Sequence, residues 1–252
     1  MDIFYYNQVT STNDMLLEMA RSESDMADRA ILAFSQTKGR GRRGRRFFSP
    51  DSTGIYLSLL LHPNIEVSKA QYITTLMAVA ACETLENRGS LAVGIKWVND
   101  LYINERKVSG ILTECSGTFK GSVPDYVVVG IGVNLYDPME GLPDDIKDRA
   151  GSVFGPLPSN ISRDELDCFR KNLANEIIDR FLYYYQNLLQ KEWYEGYVGR
   201  MFLKNRNVVA FDNDNHTEDL RVIGVDEEFG LIAEKSDGNV CILRSGEVSL
   251  KI

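Results

Sequence analysis

The 252-residue chain is poor in the residues that build metal centres and disulfide frameworks. It has only two histidines, His62 and His216. Its four cysteines form no CxxC pair and lie far apart, at Cys82, Cys115, Cys168 and Cys241. These counts argue against a histidine-rich metal site and a disulfide scaffold, and they favour buried thiols in a reducing compartment.

Long apolar runs are also missing. No stretch approaches the roughly 18 consecutive apolar residues of a membrane span, and residues 1–7 lack the basic start and apolar core of a secretion signal. The formal net charge of −8 argues against broad binding to nucleic acid or to an anionic membrane. We therefore expect a cytoplasmic protein that contacts no membrane.

The remaining composition is that of a soluble globular protein, with 44% hydrophobic and 25% charged residues. Short apolar runs predict strands at residues 3–6, 31–35, 55–61, 93–98, 108–115 and 126–133. Asn104 and Glu105 predict a hairpin turn between the fourth and fifth of these strands. The pattern indicates one large α+β domain over residues 1–202.

Three helices are expected, two between these strands and one after them. Ser11 begins one of them as a candidate N-cap. Ser68 with Gln71, and Ser162 with Glu165, have the spacing of capping boxes, and each pair precedes an apolar stripe of helical period. Gly89 is the predicted end of the second helix.

The pattern changes after about residue 203. Short β-like runs follow at residues 208–211, 220–225, 231–234, 240–243 and 248–251, separated by turn-rich groups. Asp237 and Gly238 have the composition of a type I′ hairpin turn. Residues 203–252 are therefore predicted to form a small all-β subdomain that packs on the α+β body.

A glycine-spaced basic segment is the most unusual local feature. Six of the 28 basic residues stand between Lys38 and Arg46, in a chain that is otherwise acidic. We call residues 38–46 the arginine–glycine loop. Such a concentration of positive charge is unfavourable unless an anion or the solvent screens it. Alternating glycines let backbone amides approach a ligand closely.

Four interpretations of this loop compete. The simplest is a solvated charged loop. Gly39, Gly41 and Gly44 match the letters of a dinucleotide-binding motif, but Pro50 and Gly54 prevent the helix that this motif needs. A nucleic-acid site with aromatic stacking and a site for a small phosphorylated ligand both fit. The loop alone leaves these last two open, and no GxxxxGK[ST] segment is present.

Four segments in order resemble the catalytic domain of biotin–protein ligases. They are Ser11-Thr12-Asn13, the run from Gln36 to Arg45, Lys96-Trp97-Val98-Asn99-Asp100 with the run from Lys107 to Glu114, and Gly130-Ile131-Gly132-Val133-Asn134. The resemblance spans residues 11–134. It implies a mixed sheet flanked by helices, related to class II aminoacyl-tRNA synthetases, with an SH3-like C-terminal β-barrel.

The resemblance also implies an activity in two half-reactions. Biotin and Mg²⁺–ATP first give biotinyl-5′-AMP and pyrophosphate, and a lysine of a biotin carboxyl carrier domain then takes the biotinyl group. The catalytic residues implied are Arg42, Lys107 and Asp100. The biotin-binding residues implied are Ser11, Thr12, Asn13, Gln36, Gly39, Arg40, Gly41, Arg42, Lys107 and Gly110.

A second implied set binds the nucleotide, and it consists of Arg40, Arg42, Arg45, Phe47, Lys96 and Asn134. Asp100 and Asn134 are implied as magnesium ligands, since Mg²⁺ prefers oxygen donors. Phe47 stands where the family often has tryptophan, and Val98 replaces the proline of its KWPND segment. The first departure puts the detail of the adenine contact in doubt, while the second removes no reacting group. The arginine–glycine loop is expected to be mobile without ligand and to close over the adenylate.

Two other functions stay open beside this one. A lipoate–protein ligase shares the fold, and a nucleic-acid-binding module would use the arginine–glycine loop. Because Ser11 begins the first motif so early, a monofunctional ligase without an N-terminal DNA-binding domain is expected. Family members pair through sheet edges, so a weak or ligand-promoted homodimer is also expected.

Overall fold

The central element is a seven-stranded mixed sheet. The computed structural model describes residues 1–23, 27–89, 91–211 and 216–244, and the backbone of 249–251. The strands of the central sheet are β1 (Asp2–Tyr6), β2 (Arg29–Ala33), β3 (Gly54–Leu61), β4 (Gly94–Lys96), β5 (Asp100–Ile103), β6 (Arg106–Cys115) and β9 (Val127–Asn134). Their spatial order is β1-β2-β3-β9-β6-β5-β4. Only β1 and β2 run parallel, and the predicted mixed sheet is confirmed.

Helices cover both faces of this sheet. They are α1 (Thr12–Ser22), α2 (Ala70–Arg88), α3 (Arg163–Tyr185) and α4 (Tyr194–Gly199). Leu16 and Leu17 of α1 pack on Leu60 at one face, while α2 and α3 pack on the residues of the opposite face. Because alternate side chains of a strand point to opposite faces, a strand covered on both sides reads as one apolar run. This explains the sequence of β3, in which every residue is buried.

The helix starts confirm two of the three predicted caps. Ser11 accepts a hydrogen bond from the Asp14 amide at 3.3 Å, and Ser162 forms the full capping box with Glu165. The box predicted at Ser68 and Gln71 is wrong. Residues Val67–Lys69 form a 3₁₀ turn, and α2 begins only at Ala70. The side-chain amide of Gln71 instead donates a hydrogen bond to the backbone carbonyl of Phe229.

The hairpin at Asn104 and Glu105 joins different strands from those predicted. Both residues have positive φ, 47° and 64°, as a type I′ turn requires. The predicted strand over residues 93–98, however, ends at Lys96. The chain then reverses, and an additional strand, β5, begins at Asp100. The sequence pattern did not reveal β5 as a separate strand.

The C-terminal part forms a five-stranded antiparallel sheet, as predicted. Its strands are β10 (Asn207–Phe211), β11 (Thr217–Val225), β12 (Leu231–Lys235), β13 (Val240–Leu243) and β14 (Ser249–Lys251), in the order β13-β12-β11-β10-β14. The predicted strand over residues 248–251 agrees with β14, although residue 248 lies outside the described residues. Barrel closure and the boundary at 202/203 stay predictions.

The Asp237–Gly238 turn connects β12 and β13, but its predicted type is wrong. Only Gly238 has a positive φ, of 84°, whereas a type I′ turn needs two such residues. The Asp237 carboxylate instead accepts a hydrogen bond from the Asn239 amide at 2.9 Å. This bond stabilises a turn in which one glycine is sufficient.

Three smaller features complete the described fold. A short hairpin of β7 (Phe119–Lys120) and β8 (Val123–Pro124) follows β6, and 3₁₀ turns occur at Arg42–Gly44 and Leu188–Gln190. In the described residues, no helix is both long and apolar enough to cross a bilayer. All four cysteines are free thiols. Only Cys82 is buried, and Cys168 is exposed on α3, so the expectation of buried thiols is wrong for Cys168.

Candidate active site

A buried polar network lies at the N-terminus of α1. Ser11, Thr12 and Asn13 are only 2%, 4% and 5% exposed. The backbone N–H and the hydroxyl of Thr12 both donate to the side-chain oxygen of Gln36, at 2.9 and 3.2 Å. Ser58 of β3 lies against this pair, with its hydroxyl 2.7 Å from the Thr12 hydroxyl. The first and second sequence motifs therefore meet at one helix end.

Asn13 is held at both ends of its amide by the protein. Its Oδ1 accepts from the Ser58 hydroxyl at 2.6 Å, and its Nδ2 donates to Glu114 Oε2 at 2.8 Å and to the Leu112 carbonyl at 3.3 Å. In this structure Asn13 therefore orients Glu114. Its predicted direct contact with biotin stays a prediction.

The network lines an open cleft with an empty volume of about 320 Å³. The cleft brings together these residues that the sequence singled out: Ser11, Thr12, Asn13, Gln36, Arg40, Phe47 and Gly110. It also contains Gly130 and Gly132, which pair across the sheet with Leu112 and Gly110. One end of the cleft is polar, and its floor is glycine-rich.

The glycines of this floor make room for protein side chains. A Cβ on Gly130 would lie 2.9 Å from Asn13 Cγ and 3.0 Å from Ser58 Oγ, and closer still to Asn13 Oδ1. A Cβ on Gly132 would lie 2.8 Å from Cζ of the Phe47 ring. In the structure the nearest neighbours of these two glycines are the side chains of Asn13 and Phe47.

The arginine–glycine loop forms a closed turn above this cleft. The Gly41 amide donates to the Arg45 carbonyl at 2.7 Å, and the Phe47 amide donates to the Gly39 carbonyl at 2.9 Å. Gly39 is tightly enclosed, since an added Cβ would lie 3.0 Å from the Gln36 amide nitrogen. Arg43 and Gly44 at the tip have positive φ, 56° and 71°. The predicted mobility and closure of the loop stay predictions.

Arg40 is already paired with carboxylates in this structure. Its guanidinium donates two hydrogen bonds to Glu114, at 3.0 and 2.7 Å, and lies 2.6 Å from Asp14. Part of the loop's charge is therefore screened by the protein itself. The sequence reasoning missed Glu114 as a partner, although the acid stands in a conspicuous position at the end of β6.

A second group of charges lies beside the cleft, and we call it the cationic centre. It consists of Arg42, Arg45, Lys96 and Lys107 around Asp100. Arg42 donates to Asn99 Oδ1 at 3.1 Å, and Lys107 Nζ lies 2.7 Å from Asp100 Oδ1. The short reversal between β4 and β5 places Asn99 and Asp100 among these cations.

Electrostatics make this centre a site for an anion. Burial lowers the pKa of Lys96, and the attraction of Asp100 is offset by repulsion from Lys107 and Arg45. Burial likewise lowers the pKa of Arg42 despite the nearby Asp100 carboxylate. Within the described residues, no hydrogen bond or ion pair joins the side-chain amine of Lys96 to a neighbour; this amine lies 5.7 Å from the Tyr102 ring centroid. Among the described residues, these four cations cluster around the Asp100 carboxylate, an arrangement that favours a phosphate group.

The cleft and the cationic centre meet at Gly110. A Cβ on Gly110 would lie 3.2 Å from both Lys107 Nζ and the Phe47 ring. The Phe47 ring, which lies edge-on to Tyr56 at 6.4 Å, thus stands at the boundary between the two halves of the site. A ligand with a carboxylate at one end would bring that group to this junction.

Asn134 reaches the same region through the segment 149–151, which sequence reasoning missed. Its Nδ2 donates to the Gly151 carbonyl at 3.1 Å. The Lys107 amide donates to the Arg149 carbonyl at 2.8 Å, and the Gly151 amide donates back to Lys107 at 2.9 Å. Asn134 also lines a smaller cleft, of about 230 Å³ empty volume, together with Phe48. The segment has no motif of its own in the sequence.

The donor chemistry of two residues fits the magnesium ion that the resemblance implies. Asp100 contributes a carboxylate, and the Asn134 amide turns its nitrogen to the protein, which leaves its oxygen as the donor for a cation. Among the described residues, no cluster of three or more His, Cys, Asp or Glu could hold a metal. Mg²⁺ bound with nucleotides commonly takes one or two protein ligands and completes its shell with phosphate and water.

Comparisons with known proteins agree with this arrangement. The model of the biotin/lipoate A/B protein ligase family matches residues 5–134, and the chain belongs to this family. The bifunctional ligase/repressor BirA of Bacillus subtilis (strain 168) is 29% identical over 241 residues, which are 94% of this chain and 70% of that protein. A biotin–[acetyl-CoA-carboxylase] ligase of Paracoccus denitrificans is 39% identical over 131 residues, 50% of this chain and 51% of that protein.

Solved structures show the same fold over nearly the whole chain. The biotin protein ligase from Aquifex aeolicus in complex with biotin and ATP has a TM-score of 0.78 and 26% identity. The match covers 99% of this chain and 98% of that chain. The similarity therefore includes the C-terminal β sheet as well as the cleft.

Proposed function

We propose that this protein is an ATP-dependent biotin–protein ligase, a biotin–[acetyl-CoA-carboxylase] ligase, that forms biotinyl-5′-AMP. One observation carries the proposal: a polar cleft and a cationic centre meet at Gly110, within reach of Lys107. This is the geometry for joining a carboxylate to a phosphate. In the first half-reaction a biotin carboxylate oxygen attacks the α-phosphorus of ATP, and pyrophosphate leaves.

The cleft supplies the groups that recognise biotin. The ureido ring carries two N–H donors and one carbonyl acceptor, and Ser11, Thr12 and Gln36 provide hydroxyl and amide groups around the polar end. Phe47 and the glycine floor give the aliphatic chain an apolar path toward Lys107. Gly39 and Gly41 keep the loop backbone close to this path.

The cationic centre supplies the charge that adenylate formation needs. Arg42 and Lys107 neutralise the carboxylate and α-phosphate as they approach, while Arg40, Arg45 and Lys96 add favourable potential. Since the guanidinium of Arg42 is already oriented by Asn99, little reorganisation accompanies the step. A magnesium ion held by Asp100 and Asn134 would supply further charge neutralisation at the phosphates.

The second half-reaction transfers biotin to a carrier protein. The Nζ of an acceptor lysine attacks the biotinyl carbonyl, an amide bond forms, and AMP leaves. The acceptor is a biotin carboxyl carrier domain of a biotin-dependent carboxylase. Asp100, which sits beside Lys107, is the candidate base or orienting group for the attacking amine.

Two alternatives fit the site less well. The dithiolane ring of lipoate has no N–H or carbonyl group to match the polar end of the cleft. A nucleic-acid module would present the arginines outward, whereas Arg40 turns to Glu114 and Arg42 to Asn99.

A homodimer, weak or promoted by the adenylate, is proposed as the assembly state. Sedimentation profiles of a monomer both with and without biotinyl-adenylate would contradict it.

The experiment that tests the function is pyrophosphate release from Mg²⁺–ATP without an acceptor protein. We expect a stoichiometric burst with biotin and none with lipoate. Thr12→Val should raise the biotin concentration that gives a half-maximal burst rate by about tenfold or more, because a buried hydrogen-bonding group is lost. Thr84→Val is the matched control, since the Thr84 hydroxyl only bonds the Ala80 carbonyl within α2. No release from folded protein would remove the ligase function, and a burst with lipoate would select the alternative.

A further inference from the structure

The C-terminal subdomain inserts one aromatic residue into the catalytic body. Phe229, in the turn between β11 and β12, is fully buried and has a φ of +58°, which is rare for an aromatic residue. Its ring lies parallel to Trp193 at 6.1 Å and edge-on to Tyr72 and Tyr197, at 5.7 and 5.3 Å. An unusual backbone conformation persists where the surroundings fix it, and such positions cluster at functional sites.

The turn that carries Phe229 is held from both sides. Within the turn, the Asp226 carboxylate accepts from the amides of Glu228 and Gly230, at 2.9 and 2.7 Å. Outside it, Tyr72 of α2 donates to the Glu228 carboxylate, and Lys191 donates to the Glu227 carbonyl at 2.7 Å. The turn is therefore a fixed support on the catalytic body.

The backbone carbonyl of Phe229 joins this turn to the catalytic domain. The backbone carbonyl of Phe229 accepts two hydrogen bonds, from the side-chain amide of Gln71 and from the indole N–H of Trp97, each at 2.7 Å. Trp97 opens the reversal between β4 and β5. Two residues further on, Asn99 accepts from Arg42, and Asp100 pairs with Lys107.

We propose that the Phe229 carbonyl is a positioning group for the adenylation step. Through the Trp97 indole it fixes the reversal at residues 97–99, and this reversal holds Arg42 and Lys107 in place at the phosphates. The inference rests on the proposed function, because the ligase reaction is what the positioned cations serve. The C-terminal subdomain thereby sets the geometry of the phosphate-binding half of the site. Phe229 acts through Trp97 and does not itself contact the ligand.

The effect should fall on the nucleotide half of the site. The polar end of the cleft is built from α1, Gln36 and Ser58, and Trp97 makes no hydrogen bond to that network in the described structure. Loosening the reversal therefore misplaces Arg42 and Lys107 but leaves the ureido site intact. A misplacement of about 1 Å in a positioned group lowers a rate by up to about a hundredfold.

Two tryptophans in the same aromatic cluster allow a matched test. Trp97→Phe removes the bond to Phe229 but keeps an aromatic ring. Trp193→Phe also removes a buried indole N–H, which donates to Thr75 at 3.1 Å and makes no hydrogen bond to the reversal in the described structure, and it keeps an aromatic ring beside Phe229. We would measure, for both variants, the Tm, the biotin Kd by calorimetry, the kcat and ATP KM of pyrophosphate release with a biotin carboxyl carrier domain present so that the enzyme turns over, and amide hydrogen exchange of residues 97–101.

We expect similar Tm losses in the two variants and a near wild-type biotin Kd in both. Only Trp97→Phe should lower kcat/KM for ATP, by at least about tenfold, and speed exchange at residues 97–101. Equal rates and equal exchange in the two variants would overturn the proposal. If wild-type protein releases no biotin-dependent pyrophosphate, the proposed function fails separately, and the exchange comparison still decides whether Phe229 fixes the reversal.

Discussion

Replacing Gly130 by alanine should damage the site through Asn13. The new Cβ would lie 2.9 Å from Asn13 Cγ and 3.0 Å from Ser58 Oγ, so the amide of Asn13 has to leave its position. The bonds to Ser58 at 2.6 Å and to Glu114 at 2.8 Å are then lost. A neutral hydrogen bond contributes about 0.5–1.5 kcal/mol and one to a charged group about 1.5–3 kcal/mol. We therefore expect a loss of about 3 kcal/mol in the free energy of unfolding.

This loss should appear as a fall in Tm of about 6–12 °C, since 1 kcal/mol shifts the Tm of a protein of this size by about 2–4 °C. Biotin affinity should also fall, by about tenfold or more, because Glu114 no longer holds Arg40 at the cleft. Scanning calorimetry and biotin titration measure the two quantities. Gly224→Ala in β11 is the control, because no heavy atom lies within 4 Å of its added Cβ. A Gly130→Ala protein with wild-type Tm and biotin affinity would refute the reasoning.

Three further predictions concern charged residues. Lys96→Met should weaken ATP binding yet stabilise the free protein at pH 7. Because burial lowers the pKa of Lys96, its charge destabilises the folded state at neutral pH, and this cost disappears as pH rises toward 10.5. Thermal unfolding across pH checks the sign, and a variant less stable than wild type at pH 7 would contradict it. Arg42→Ala should mainly shorten retention of the adenylate, and Lys107→Ala should mainly slow its formation; similar, near-normal single-turnover rates for both would exclude this division. Arg170→Met should lower the free energy of unfolding by about 2–3 kcal/mol, because a fully buried guanidinium bonds the backbone carbonyls flanking the loop segment. Asp51 and Asp167 pair with both Arg170 and the exposed Arg163. Arg163→Met should therefore cost under about 1 kcal/mol, and equal Tm losses in the two variants would oppose that distinction.

The periodic parts of the fold could be predicted from the sequence. The apolar runs of β3, β6 and β9 and the stripes of α2 and α3 reflect burial, which leaves a clear pattern. The capping box at Ser162 was local and was confirmed. The one at Ser68 failed because residues Val67–Lys69 form a 3₁₀ turn and α2 begins only at Ala70, so Ser68 is not the N-cap. The side-chain nitrogen of Gln71 donates to the Phe229 carbonyl, a tertiary contact that the local sequence does not reveal.

The motifs indicated residues that lie together in the structure, while their roles in binding stay predictions. Ser11, Thr12, Gln36, Arg40 and Phe47 do meet in one cleft. Partners that act across strands were missed, because their roles depend on register. Ser58 is the instructive case, since a serine inside the apolar run of β3 was a signal: a buried hydroxyl requires a partner.

The pairing of Arg40 with Glu114 and Asp14 has a consequence for selectivity. An incoming anion must compete with two carboxylates that are already attached to the protein at high effective concentration. The net binding free energy is then the difference between the ion pair that Arg40 forms with the ligand and the pairs that it forms with Glu114 and Asp14. A ligand that offers only negative charge therefore gains little binding free energy from this exchange. Polyanions are discriminated against at this residue, while a ligand that also fills the neighbouring cleft compensates for the displaced acids. The two acids thus act as an internal competitor that converts a charged loop into a selective one.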